Sequence, residues 1–178
     1  MRPLMASEIE VRVGQVGDGY ATLLLYKNAR VDRAMLDEEF GRMNWQDRYS
    51  EHKGNLFCSI GVWDDRKEQW VWKEDCGTES QTEKEKGEAS DAFKRAGFRW
   101  GIGIELYNSP RIYLNVATDS IGNFKFKLHN PKELNGMFVS HIKSVNGKVT
   151  ELDIAQKVGY NPAKVIWSTN KKRIGEGI

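Results

Sequence analysis

Cysteine and histidine are scarce in this chain, and long apolar runs are missing. Its 178 residues hold two cysteines and three histidines. Cys58 and Cys76 fall in what read as neighbouring strands, so the expectation is two reduced thiols packed in a sheet, not a disulfide. His52, His129 and His141 have no metal-ligand spacing with one another or with either cysteine, and each reads as an ordinary loop or strand residue. The apolar runs are only a few residues long, and Met1 to Glu10 lacks the apolar core of a signal peptide; neither a membrane span nor secretion is expected, and the expected location is cytoplasmic. Phosphate-loop chemistry is missing too. There is no GxxxxGK run, and Gly101-Ile102-Gly103 follows a helical pattern where a dinucleotide site needs a strand before it. No cofactor and no metal are expected.

What is present suits one domain. A hydrophobic content of 39% in 178 residues can build a sizeable core, expected over residues 1–170, with Lys171-Lys172-Arg173 opening a basic flexible tail over 171–178. The formal net charge of +2 is too small to indicate nucleic acid by itself, so any electrostatic footprint must come from clustering.

Alternation and turn chemistry divide the chain. Glu8 to Val13 and Tyr20 to Tyr26 read as strands about a Val16-Gly17-Asp18-Gly19 turn, an opening hairpin. Arg30 to Phe40 carries Val31, Ala34, Met35 and Phe40 at helical spacing and stops at Gly41. Trp45 to Glu51, Asn55 to Trp63 and Gln69 to Cys76 are strands joined by short polar turns, which makes them an antiparallel meander. The meander feeds the longest helical pattern, Glu79 to Trp100. Arg111 to Val116 and Phe124 to Leu128 are short candidate strands in an otherwise unplaced 101–136. Phe138 to Val145, Asn146-Gly147 and Lys148 to Ile154 make a second hairpin, followed by Lys164 to Trp167. The expected fold class is α+β: an antiparallel β-meander with a long helix packed on it, a strand-strand-strand-helix core, plus an N-terminal β-hairpin and short C-terminal strands.

The long helix sets the functional question. Ala89, Ala92, Phe93, Ala96 and Trp100 form its apolar stripe, and Gly87 adds room for close approach to a sheet. Beside the stripe runs a charged row, Lys84, Glu88, Asp91, Arg95 and Arg99. Lys84–Glu88 and Asp91–Arg95 have the i,i+4 spacing of ion pairs, whereas Lys94 and Arg99 have no acid four positions earlier and are expected to keep their charge for a partner. Arg30 and Arg33 add cations on the shorter helix, and Tyr26, Trp45, Tyr49, Trp63, Trp70, Trp72 and Trp100 supply rings. Cations that track phosphates beside rings that offer stacking surfaces are the pattern of single-stranded nucleic acid binding; against it stand a solvated helix face for the cations and core or subunit packing for the rings. Asp75, Glu79 and Glu83 are the residues of a rival reading, a metal-dependent nuclease, although acids there also suit the first turn of a helix.

Two blocks resemble a known family. Arg30-Val31 through Glu39-Phe40-Gly41 to Asn44-Trp45, and Glu83-Lys84-Glu85-Lys86 through Ala89-Ser90-Asp91-Ala92-Phe93-Lys94-Arg95-Ala96 to Gly101, resemble the motifs of single-strand annealing proteins of the Rad fifty-two superfamily, phage Sak type. The resemblance spans roughly Arg30 to Gly103. It implies an ATP-independent, non-enzymatic protein that binds single-stranded DNA, assembles as a homo-oligomeric ring or helical filament, and promotes pairing of complementary strands in phage recombination and repair, in the host cell cytoplasm and alongside a single-strand-binding protein. By motif position Lys94 and Arg95 line the DNA groove and Arg30 opens the first block. Phe98 stands where a third family arginine aligns, with Arg99 one residue later at the groove edge. Trp45 or Tyr49 is the expected stacking ring.

Overall fold

The computed structural model describes residues 1–78 and 84–178. The fold is α+β, with antiparallel strands and, among the described residues, two α-helices. In chain order the elements are β1 (Glu10–Gly17), β2 (Tyr20–Tyr26), α1 (Ala29–Phe40), β3 (Trp45–His52), β4 (Asn55–Asp64), β5 (Gln69–Cys76) and α2 (Lys84–Arg99). There follow β6 (Ile112–Asn115), β7 (Thr118–Gly122), β8 (Lys125–Leu128), β9 (Met137–Val145), β10 (Lys148–Gln156) and β11 (Lys164–Ser168). Where length and composition pointed to one domain, the chain folds as two compact units interleaved in sequence: Met1–Leu4 with Lys27–Ile104, and Met5–Tyr26 with Glu105–Ile178. Among the described residues no helix is long and apolar enough to cross a membrane.

The first unit holds the expected meander, in strand order β3-β4-β5, with α2 packed on β4 and β5. Trp45 pairs with Val62 and Val62 with Val71, so the two-residue pleat puts Trp45, Asp47, Tyr49, Cys58, Ile60, Val62, Val71, Lys73 and Asp75 on one face. Against that face lie Ala92, Phe93 and Ala96 of α2, fully buried with Cys58, Ile60 and Val62. Ala89 and Trp100, the ends of the predicted stripe, are half-buried. Small residues set the spacing. A Cβ at Gly77 would stand 2.4 Å from the Glu88 carbonyl oxygen, which shows how near the end of β5 lies to α2.

α1 begins where Asn28 caps it: its side-chain oxygen accepts the Arg30 N–H at 3.0 Å and the Val31 N–H at 3.4 Å. It ends at Gly41, whose φ of +80° suits glycine best. In its first turn Asp32 is buried and ion-paired with the equally buried Lys27. The Lys27 ammonium also lies 4.2 Å from the centre of the Phe98 ring of α2. Space for the pair comes from two glycines: a Cβ on Gly97 would stand 2.3 Å from Asp32 Oδ1, and one on Gly103 would stand 2.7 Å from Lys27 Cε.

The second unit is made of strands. β1, β2 and β6 form one sheet in that order, β11-β10-β9 another, and β7-β8 a separate hairpin. The opening hairpin is as expected, with β1 running on to Gly17 through a register shift between Val13 and Val16. β7 was not expected. Its sequence, Thr-Asp-Ser-Ile-Gly, is polar and irregular, and only pairing with β8 makes it a strand. Residues 171–178, expected as a flexible tail, return along β11 instead. Gly175 N–H donates to the Val165 carbonyl at 2.8 Å and Ile178 N–H to the Ala163 carbonyl at 2.9 Å, while Arg173 ion-pairs with buried Asp153. An edge strand offers unmet backbone groups, and this segment satisfies them.

Removing one member of a buried ion pair takes away an attraction that offsets the other's loss of water. Lys27→Met and Asp32→Asn should each cost about 3–5 kcal/mol in urea unfolding, and the double variant less than the sum of the two. Strictly additive costs would show that the two side chains are not coupled.

Candidate nucleic-acid interface

The last turns of α2 carry Lys94, Arg95 and Arg99, of which the two arginines face β5. The apolar stripe fixes the rotation of the helix, and the rotation turns Arg95 and Arg99 toward Asp75 on the neighbouring strand. Arg95 Nε lies 3.3 Å from Asp75 Oδ1 and Arg99 Nε 3.1 Å from Oδ2. The Cys76 N–H also donates to Oδ1, at 2.8 Å. Partial burial by itself would raise the Asp75 carboxyl, but the Cys76 N–H and the Arg99 and Arg95 guanidiniums outweigh it and hold the group below the ordinary carboxylate range.

This pairing corrects the intrahelical one. Asp91 does not take Arg95; it accepts the Thr78 N–H at 3.1 Å and the Thr78 hydroxyl at 2.9 Å, and lies 4.0 Å from Lys94 Nζ. Arg99, expected to be unpaired, shares Asp75 from another element. Glu88 accepts the Leu56 N–H at 3.1 Å, and the side chain of Lys84, its expected partner, lies outside the described residues.

The arginines are anchored but not used up. Each gives Nε to Asp75, and a guanidinium has five N–H donors in a planar fork. The terminal nitrogens have no hydrogen-bond partner among the described residues, and the Arg99 side chain is 58% exposed. Lys73 of β5 stands beside them and donates from Nζ to the Arg99 carbonyl at 2.9 Å, where a cation suits a helix C-terminus. The same ammonium lies 4.2 Å from the centre of the Trp100 ring. Next to it opens a cleft of about 440 Å³ whose lining includes Phe40, Trp63, Arg66, Lys67, Lys73 and Trp100.

The remaining predicted residues do not all join this patch. Arg30 is exposed in the first turn of α1, and no described contact links it to Lys94 or Arg95. Trp45 is held as an internal support: its Nε1–H donates to Asp37 Oδ1 at 2.8 Å, and its ring lies 6.2 Å from that of Phe93. Tyr49 stands opposite Cys58 on β4 and is partly exposed; burial, together with neighbouring Cys58 and Asp47, pushes its hydroxyl up, and burial pushes the Cys58 thiol up to about 12. Of the nuclease residues, Asp75 is committed to two arginines, while Glu79 and Glu83 lie outside the described residues.

Two features escape a reading of helix spacing. Lys73 and Asp75 face α2 because β5 alternates, a signal present in the strand period alone. On the opposite sheet face, Trp63, Trp70 and Trp72 form a chain of rings with centres 5.7 and 6.1 Å apart, and the Arg48 guanidinium lies 4.0 Å from the centre of the Trp72 ring. Comparison with known proteins finds no matching family model, no matching curated protein and no matching solved structure.

A depressed carboxyl contributes stability above its unfolded value, near pH 4, and loses that contribution as pH falls through its folded value. Asp75→Asn should therefore flatten the loss of stability on acidification below about pH 4, read by urea unfolding at a series of pH values. An acid limb identical to the parent's would show that the arginines do not hold this carboxylate.

Proposed function

We propose that the chain is a non-enzymatic, ATP-independent protein that binds single-stranded DNA and anneals complementary strands, in the manner of the Rad fifty-two superfamily that its sequence resembles. The observation that carries this reading is the Asp75 anchor, which holds two arginines of α2 by Nε and leaves their terminal nitrogens open, with Lys73 beside Arg99 and Lys94 on the adjoining helix face by Asp91. Four cations against Asp75 and Asp91 leave the patch net positive. A guanidinium whose rotamer is already fixed loses less entropy on meeting a phosphate, and its planar fork suits two phosphate oxygens.

Mechanism follows from what is held. Capture of the backbone by Lys94, Arg95 and Arg99 leaves base edges free, so a second strand can test its pairing while the first stays bound. No bond is made or broken, and no residue acts in catalysis. The indole of Trp45 is already engaged with Asp37, so no base contact is assigned to it. The Trp63–Trp70–Trp72 face supports self-association into a ring or helical filament, because half-buried tryptophans recur at subunit contacts. Action in the host cell cytoplasm with a single-strand-binding protein, and a phage origin, belong to the same proposal.

The test is Lys94→Ala/Arg95→Ala, compared with the parent by fluorescence anisotropy on a labelled single strand. The variant should assemble normally in sedimentation, lose annealing, and show a log-log salt slope shallower by about 0.7 for each phosphate it no longer engages. Parent-like binding and annealing by a correctly assembled variant would remove these residues from the site. Sedimentation also tests assembly: a parent that stays monomeric at micromolar concentration, with and without DNA, contradicts the ring or filament.

A further inference from the structure

The β7-β8 hairpin of the second unit ends in a turn that its own sequence disfavours. Gly122 pairs with Lys125, leaving Asn123 and Phe124 as the loop, with φ of +48° and +58°. Two consecutive left-handed residues belong to the type I′ hairpin turn, where asparagine is common first and glycine second. Here the second place is held by phenylalanine, and a bulky side chain in this region is a true outlier. Packing does not offset it: Phe124 is 98% exposed, and Ile121, three residues earlier, is 56% exposed. Strain and solvent exposure coincide on one aromatic ring, and such a coincidence points from an outlier toward a function.

The surroundings say what the ring meets. Lys125 and Lys127 are both exposed, and residues two apart on a strand share a face about 7 Å from one another. Asp119, opposite Lys127, is hydrogen-bonded with His129 at 2.9 Å. The tip therefore offers one flat ring followed by two cations along one strand. A bilayer is a poor match, because anchoring there needs far more apolar surface than one phenylalanine and one isoleucine. A nucleobase is a good one, since stacking requires only a single exposed ring and tolerates any base.

We propose that the β7-β8 tip is a second contact for single-stranded nucleic acid, in which Phe124 stacks on a base while Lys125 and Lys127 neutralise adjoining phosphates. The inference rests on the reading that this chain binds single strands, and it adds a contact to bases that α2 does not make. Phe124 is then a reason for the protein to distinguish a strand with bases from a bare sugar-phosphate chain.

The experiment uses the full chain and two labelled probes of equal length and charge, an oligothymidylate and its fully abasic counterpart, read by fluorescence anisotropy. The parent should bind the oligothymidylate about tenfold more tightly. Phe124→Gly suits the turn, so its melting temperature should equal or exceed the parent's; it should lose the preference while keeping affinity for the abasic probe. Phe124→Trp should retain the preference, and Lys125→Ala/Lys127→Ala should weaken both probes alike. Retention of the parent's preference by Phe124→Gly would overturn the proposal and leave the α2 reading intact. So would Phe124-dependent binding to anionic vesicles with no preference between probes, which would make the tip a membrane contact. A parent that binds neither probe would overturn both readings.

Discussion

The arrangement of the first unit depends on one desolvated ion pair, Lys27 with Asp32. Burial pushes the Asp32 carboxyl up to about 6 even with the lysine in contact, so charge attraction does not fully offset the loss of water. A pair of this kind is a weak source of net stability and a strict geometric condition. It requires α1, the Phe98 ring and the glycines at 97 and 103 to stay where they are, because any displacement exposes one charge to a medium that cannot solvate it. The crossing of α1 and α2 is thereby held, and with it the rotation of α2.

That rotation links packing to charge. With Ala92, Phe93 and Ala96 turned to the sheet, Arg95 and Arg99 come over the edge strand β5, where Asp75 meets both. The carboxylate lowers the net charge of the patch but orders its two most extended side chains. Affinity for a backbone depends on both quantities, the number of cations and the entropy lost in placing them. The same logic distinguishes Lys73, whose ammonium is occupied by the helix terminus and Trp100, from the arginines, whose outer nitrogens remain open.

Much of the first unit was legible because its signals are local. Short polar turns fix strand order, and the strands lie within a residue or so of the predicted bounds; which residues of β4 face the helix was not legible, because the run is buried on both faces. The cross-element pairing was not legible from helix spacing alone. Asp91 stands four residues before Arg95, yet Thr78 and Lys94 take it, and Asp75 becomes the arginine partner only through strand register. In the second unit the signals are weaker still. β7 becomes a strand only by pairing, and residues 171–178 look like a basic tail until β11 is in place to receive them. The grouping of the N-terminal hairpin with distant β6 likewise has no local cue.

The central claim is that the α2 face captures a nucleic-acid backbone by its cations. It is tested most directly by the affinity of the parent chain for a labelled, unstructured single strand, measured by anisotropy across a range of salt concentrations. The account predicts measurable binding at low salt, weak sequence preference, and a log-log slope of about −0.7 for each phosphate engaged, with several engaged per subunit. No affinity at low salt, or an affinity that salt leaves unchanged, would contradict it.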